Sequence, residues 1–173
     1  MRPYYKPGNY CMTKSGGYLM RMSINRVLPR MEALFVDQEL TFSQWTALVA
    51  LHSGITTAGD LAHNICHDAG SLTRLIDQLV ERGFVVRERS ETDRRVVTLA
   101  LTPHGSELVA QMGPKVMDLW NGLLAGFSHA EVDTLIALLT RLAIAAEGKP
   151  RDGRVSLLSD SPPILKAAKS KKS

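Results

Sequence analysis

The sequence predicts a mainly α fold with one small β-hairpin, and three observations carry that prediction. Apolar residues recur at steps of three and four over most of the chain. The period drops to two only between residues 84 and 101. Helix-start and helix-stop residues punctuate the periodic stretches at short intervals. With 45% hydrophobic residues among 173, the chain can build one compact domain plus tails.

The first 14 residues are rich in Tyr, Pro, Lys and Gly and read as an irregular lead-in. Met20, Ile24, Val27, Met31 and Leu34 then form one helical stripe, inside which Pro29 should kink the helix or shift its boundary. Thr41-Phe42-Ser43-Gln44 reads as a capping box, the hydroxyl and the amide covering early donors of a helix that turns Trp45, Leu48 and Val49 inward and stops at Gly54. Thr57-Ala58-Gly59-Asp60 starts a second short helix with Leu61, Ala62 and Ile65. Asp68 can cap a third, whose core face is Leu72, Leu75, Ile76 and Leu79 and whose end is marked by Gly83.

Residues 84–89 and the alternation of Val97, Leu99 and Leu101 read as two strands joined by the polar run Ser90-Glu91-Thr92-Asp93-Arg94-Arg95. Thr102-Pro103 opens another helix. Its apolar series from Leu108 to Phe127 is interrupted by Gly113-Pro114, which predicts a kink or two helical pieces. Ser128-His129-Ala130-Glu131 is a further capping box, before Val132, Leu135, Ile136, Leu139 and Leu142. Gly148 and Pro150 stop this helix. Residues 149–173 read as a disordered basic tail.

Three short helices and a hairpin within about 60 residues are the layout of a winged helix-turn-helix. An α-helix fits the major groove of duplex DNA, and a hairpin tip can reach the backbone or minor groove. With its apolar residues inward, the third helix points Gly70, Arg74, Asp77, Gln78 and Glu81 outward, with Ser71 and Thr73 on the flanks. The N-terminal half of that arc is small, hydroxylated and basic, as a groove-entering helix end should be. The acidic half should point away from phosphate. Arg94 at the hairpin tip could enter a narrow minor groove, with an Asp93–Arg95 ion pair bracing it.

Net charge by itself is a poor guide here. The chain carries +4, but residues 15–148 hold 11 basic and 15 acidic side chains, so the positive excess lies in the two termini. What matters is local: six of those 11 lie between Arg74 and Arg95. The start of the chain has no apolar signal segment, and no run approaches the ~18 apolar residues of a membrane span. A cytoplasmic protein is expected.

No Gly-rich phosphate loop, nucleophile elbow or paired catalytic carboxylates appear, so an enzyme is not expected, nor a cofactor. Cys11 and Cys66 make no disulfide framework. His63 and His67 have i, i+4 spacing but lack a third ligand, and no metal site is expected. The competing readings are a redox sensor of the same fold acting through Cys11 and a winged helix that binds protein. Ser71, Thr73 and Arg74 on the outer face argue against the latter.

Residues from about Leu40 to Thr102 resemble the core of the MarR (multiple antibiotic resistance regulator) family. Asp93-x-Arg95 followed by Leu101-Thr102 is similar to that family's D-x-R-x5-L-T wing signature. The run from Ser71 to Leu79, then Glu81-Arg82-Gly83-Phe84-Val85, resembles its recognition helix and exit. The resemblance extends over roughly residues 15–147; Pro29, Gly113-Pro114 and the basic C-terminal extension depart from it. It implies DNA contacts from Ser71, Thr73, Arg74 and Arg94, with Asp93 and Arg95 shaping the wing. It also implies small aromatic or phenolic effectors in a cleft between dimer helices and DNA-binding lobe. Met20 and Trp45 are the candidates for lining it, against the simpler reading of both as core residues.

The expected organisation is a lead-in (1–14), a single domain (15–148) and a tail (149–173). Within the domain, the winged helix spans about 40–102, flanked by dimerisation helices at 15–36 and 103–148. The flanking helices carry more apolar surface than a small winged helix uses. Burying it across a two-fold gives a homodimeric repressor on a pseudo-palindromic operator, released by its effector.

Overall fold

The computed structural model describes residues 3–65, 69–89 and 97–147. The chain divides into two compact units, Met1–Phe42 and Ser43–Ser173.

In the first unit the opening segment holds one 3-10 turn, Met12–Lys14. Tyr4, Tyr5 and Tyr10 stack edge to face, with centroids 5.0 and 5.4 Å apart. The Tyr5 hydroxyl accepts the Gly16 N–H at 3.1 Å. Ser15 caps α1 (Gly16–Phe35), its hydroxyl accepting the Tyr18 N–H and donating to the Met12 carbonyl. Pro29 removes one donor from α1, yet the helix runs through it with no shifted boundary. After α1 a 3-10 turn, Val36–Gln38, ends on Glu39 in the left-handed region (φ 49°). The Glu32 carboxylate accepts the N–H of Phe42.

The second unit contains the predicted winged helix. In α2 (Phe42–His52), Trp45, Ala47, Leu48, Ala50 and Leu51 are buried. Gly54 (φ 100°) and a bond from the Ile55 N–H to the Ala50 carbonyl close its end. α3 (Ala58–Ile65) starts on the Thr57–Asp60 box: the Asp60 N–H donates to Thr57 Oγ1 at 3.1 Å, and that hydroxyl donates to the Asp60 carboxylate. α4 (Ala69–Glu81) stops at Gly83 (φ 71°), where the Phe84 N–H reaches back to the Leu79 carbonyl. Asp68, its expected cap, lies outside the described residues.

Strands β1 (Val85–Arg89) and β2 (Val97–Leu101) pair antiparallel, Val85 opposite Leu101 and Arg89 opposite Val97. The α2–α3 connection adds a third edge: Thr57 bridges Thr98, and the Leu99 N–H donates to the Thr56 carbonyl at 2.7 Å. Thr102 caps α5 (Pro103–Leu124), with Pro103 in the first turn. The Gly113-Pro114 pair does not divide α5: it is one helix, and Gly113 is buried alongside Met112. The Ser128–Glu131 box starts α6 (His129–Glu147).

The core of this unit joins Leu48, Leu61, Leu79, Val85, Leu99 and Val109, one or more from each element except α6. Among the described residues no single helix is long and apolar enough to cross a membrane.

Candidate nucleic-acid interface

The candidate surface is built on α4. Leu72, Leu75, Ile76 and Leu79 are buried and hold the helix against the unit's core. The opposite arc is solvent-facing: Gly70, Ser71, Thr73, Arg74, Asp77, Gln78 and Glu81 are all exposed. The structure therefore brings Gly70, Ser71, Thr73, Arg74 and Gln78 to one helix surface, as their spacing predicts.

Two contacts on this surface were not read from the sequence. Gln44, buried on α2, donates through Nε2 to Oε1 of Gln78 at 2.9 Å. The box amide therefore reaches across to α4 as well as sitting at the α2 start. The acidic part of the arc is partly neutralised in place: Arg87 on β1 makes an ion pair with Asp77. Asp77 thus stays within the outward arc but carries its own counter-charge.

The exit of α4 is braced as a stack. The Arg82 guanidinium sits 5.0 Å above the Phe84 ring, and Phe84 stacks on His104 with centroids 4.8 Å apart. Thr102 Oγ1 donates to the Gly83 carbonyl at 2.7 Å and accepts the Gly105 N–H at 3.0 Å. Gly105 itself approaches Phe84, the residue before β1, so closely that a Cβ built on it would stand 2.2 Å from the Phe84 carbonyl oxygen. These contacts fix where the hairpin leaves α4. The expected tip residues Asp93, Arg94 and Arg95 lie outside the described residues.

Of the two candidate effector-lining residues, Trp45 is only 6% exposed in the second unit. Met20, in the first unit, is 44% exposed. Cys11 is exposed, with Sγ 3.3 Å from Thr13 Oγ1. That hydroxyl, then the Lys14 backbone N–H, lowers the thiol pKa below its ordinary value. Cys66 and His67 lie outside the described residues. Among the described residues no cluster of His, Cys, Asp and Glu could hold a metal ion.

Comparison with known proteins converges on this segment. The MarR family model matches residues 40–97. The protein assigned as transcriptional regulator of the hcr operon in Thauera aromatica is 41% identical over 75 residues. Those residues are 43% of this chain and span 45% of that relative's length. Among solved structures, a MarR mutant from E. coli in complex with operator DNA is 29% identical with a TM-score of 0.64, covering 73% of this chain and 91% of that one. BpsR of Bordetella bronchiseptica, whose DNA binding is regulated by 6-hydroxynicotinic acid, is 26% identical with a TM-score of 0.71 over 79% of this chain and 98% of its own.

Proposed function

We propose that the chain, whose residues 40–97 match the MarR family model, is a homodimeric transcriptional regulator of that family that binds duplex DNA through α4. The observation that carries this reading is the exposed arc of Ser71, Thr73 and Arg74 above a fully buried apolar stripe. A helix about 10–12 Å across fits a major groove about 12 Å wide. Arg74 offers the planar donor pair that matches guanine O6 and N7, while Ser71 and Thr73 present hydroxyls to phosphate or base edges. The resemblance assigns a minor-groove contact to Arg94 and the shaping of the wing to Asp93 and Arg95, all three outside the described residues.

Dimerisation follows from unsatisfied apolar surface. On α6, Leu135, Leu138, Leu139 and Leu142 are exposed, as are Met117 and Trp120 on α5. A two-fold axis pairing these faces presents two α4 helices to half-sites one helical turn, about 34 Å, apart. The net acidic body keeps non-specific attraction weak, so binding depends on both helices being placed together. A small aromatic effector that prefers a misaligned dimer releases the operator, which makes the protein a ligand-relieved repressor acting in the cytoplasm.

The test is a duplex selected by the protein from a random pool. Arg74→Ala should weaken its binding by about ten- to a hundredfold. Arg94→Ala should weaken it less and flatten the dependence of log K on log salt by about one unit. Unchanged affinity and unchanged salt slope in both variants would reject the reading.

A further inference from the structure

We propose that Gln78 is a donor-only reader of base edges, turned that way by Gln44, and that it selects guanine or thymine at one position of each half-site. The inference rests on the reading of α4 as the groove helix.

A primary amide has an acceptor oxygen and two N–H donors on its nitrogen. Unrestrained in a major groove, glutamine uses both ends on adenine: the oxygen accepts from N6 while the nitrogen donates to N7. In this chain the oxygen already has a partner. Gln44 Nε2, on a side chain only 6% exposed, donates to Gln78 Oε1 at 2.9 Å. Breaking that bond would strip a buried amide of a partner, so the tether resists rotation of the Gln78 amide when a duplex approaches.

Gln78 itself is exposed and stands one turn beyond Arg74 on the same side of α4. With its oxygen held toward the buried end of α2, its nitrogen is the end left facing solvent. A group with only donors to offer complements N7 and O6 of guanine or O4 of thymine. It meets a competing donor at N6 of adenine and N4 of cytosine. The specificity at that position is therefore set from behind the recognition helix, by a residue that never touches DNA. Gln44 is a positioning residue in this sense.

The experiment selects bound sequences from a random duplex pool with the full-length wild type, Gln78→Ala and Gln44→Met. Affinities for single-base-pair variants of the winning site are then measured by fluorescence anisotropy. Wild type should choose guanine or thymine at one position per half-site, and Gln78→Ala should lose about tenfold of the discrimination there. Gln44→Met removes the N–H at similar volume, and the preference at that position should move to adenine.

The same base chosen by wild type and by a folded Gln44→Met overturns the inference. So does a wild-type preference for adenine or cytosine at the Gln78-sensitive position, a result that needs no Gln44 variant. A site at which no position responds to Gln78→Ala defeats the inference alone. A wild type that enriches no sequence defeats the DNA-binding reading and the inference with it.

Discussion

Helices α4 and α6 are both rich in large apolar residues and treat them in opposite ways. The four large apolar residues on the inner face of α4 are buried, and its exit is closed by Gly83, the Thr102 hydroxyl and the Arg82–Phe84–His104 stack. On α6, Leu135, Ile136, Leu138, Leu139, Leu142 and Ile144 are between 41% and 57% exposed. Poor helix formation does not explain the difference, because α6 has its own cap in Ser128 and Glu131. Among the described residues α6 has little surface to pack on. The winged helix completes its core within one chain, whereas in the proposed dimer a second copy would supply the core for α6.

The largest expected effect comes from opening the closed end. Gly105→Ala places a methyl group 2.2 Å from the Phe84 carbonyl oxygen, and backbone cannot step aside as a flexible side chain can. A loss of about 3 kcal/mol is expected, at the upper end of overpacking costs. It should appear as a lowered thermal midpoint together with weakened DNA retention. An unchanged melt would mean that the α5–β1 approach is not tight. The open end is broken differently: Leu139→Asp with Leu142→Asp puts charges into the face assigned to the second copy. Sedimentation should then report half the mass with the helical circular-dichroism signal retained. An undiminished mass would remove α6 from the dimer contact.

The contrast also explains what could be read in advance. The α4 stripe, its Gly83 stop, the Thr57 and Ser128 boxes and the strand period were legible because each is a local pattern with one dominant physical cause. Pro29 and Gly113-Pro114 leave α1 and α5 continuous because a missing N–H is a local penalty that flanking helical bonds and, at Met112 and Gly113, burial override. Gln44, Arg87 and Gly105 went unread as interface residues for another reason. Their partners are 34, 10 and 21 residues away, and only the packed arrangement says that they meet. The alternation along β1 puts Arg87 on the opposite face from Val86, but nothing in the strand pattern points at Asp77. The exposure of α6 was anticipated at Leu135 and Leu142, since apolar residues beyond the needs of a small core can be counted from the sequence.

A smaller effect sharpens the outer face of α4. Arg87→Ala leaves Asp77 as an unpaired negative charge beside the approaching phosphates, and duplex binding should weaken by roughly three- to tenfold. Asp77→Asn in that background should restore most of it. Both partners of the pair are exposed, so thermal stability should barely move in either variant. If the double variant binds as poorly as Arg87→Ala, the guanidinium acts on DNA directly and its pairing with Asp77 is incidental.

The smallest effect separates the capping of α6 from its packing. The Ser128 N–H, then the Ser128 hydroxyl, hold the Glu131 carboxyl below its ordinary pKa. A carboxylate depressed in the folded state contributes stability that is fully present above its unfolded pKa, about 4.3. That contribution is lost as pH falls through the lower, folded value. Helical protection of the first α6 amides, read by hydrogen exchange, should therefore decline below about pH 4 in wild type and less in Glu131→Gln. Because Glu131 is fully solvent-exposed, the change should stay within the first turn and leave the winged helix untouched. Identical acid profiles in the two proteins would make the box a bystander to the stability of α6.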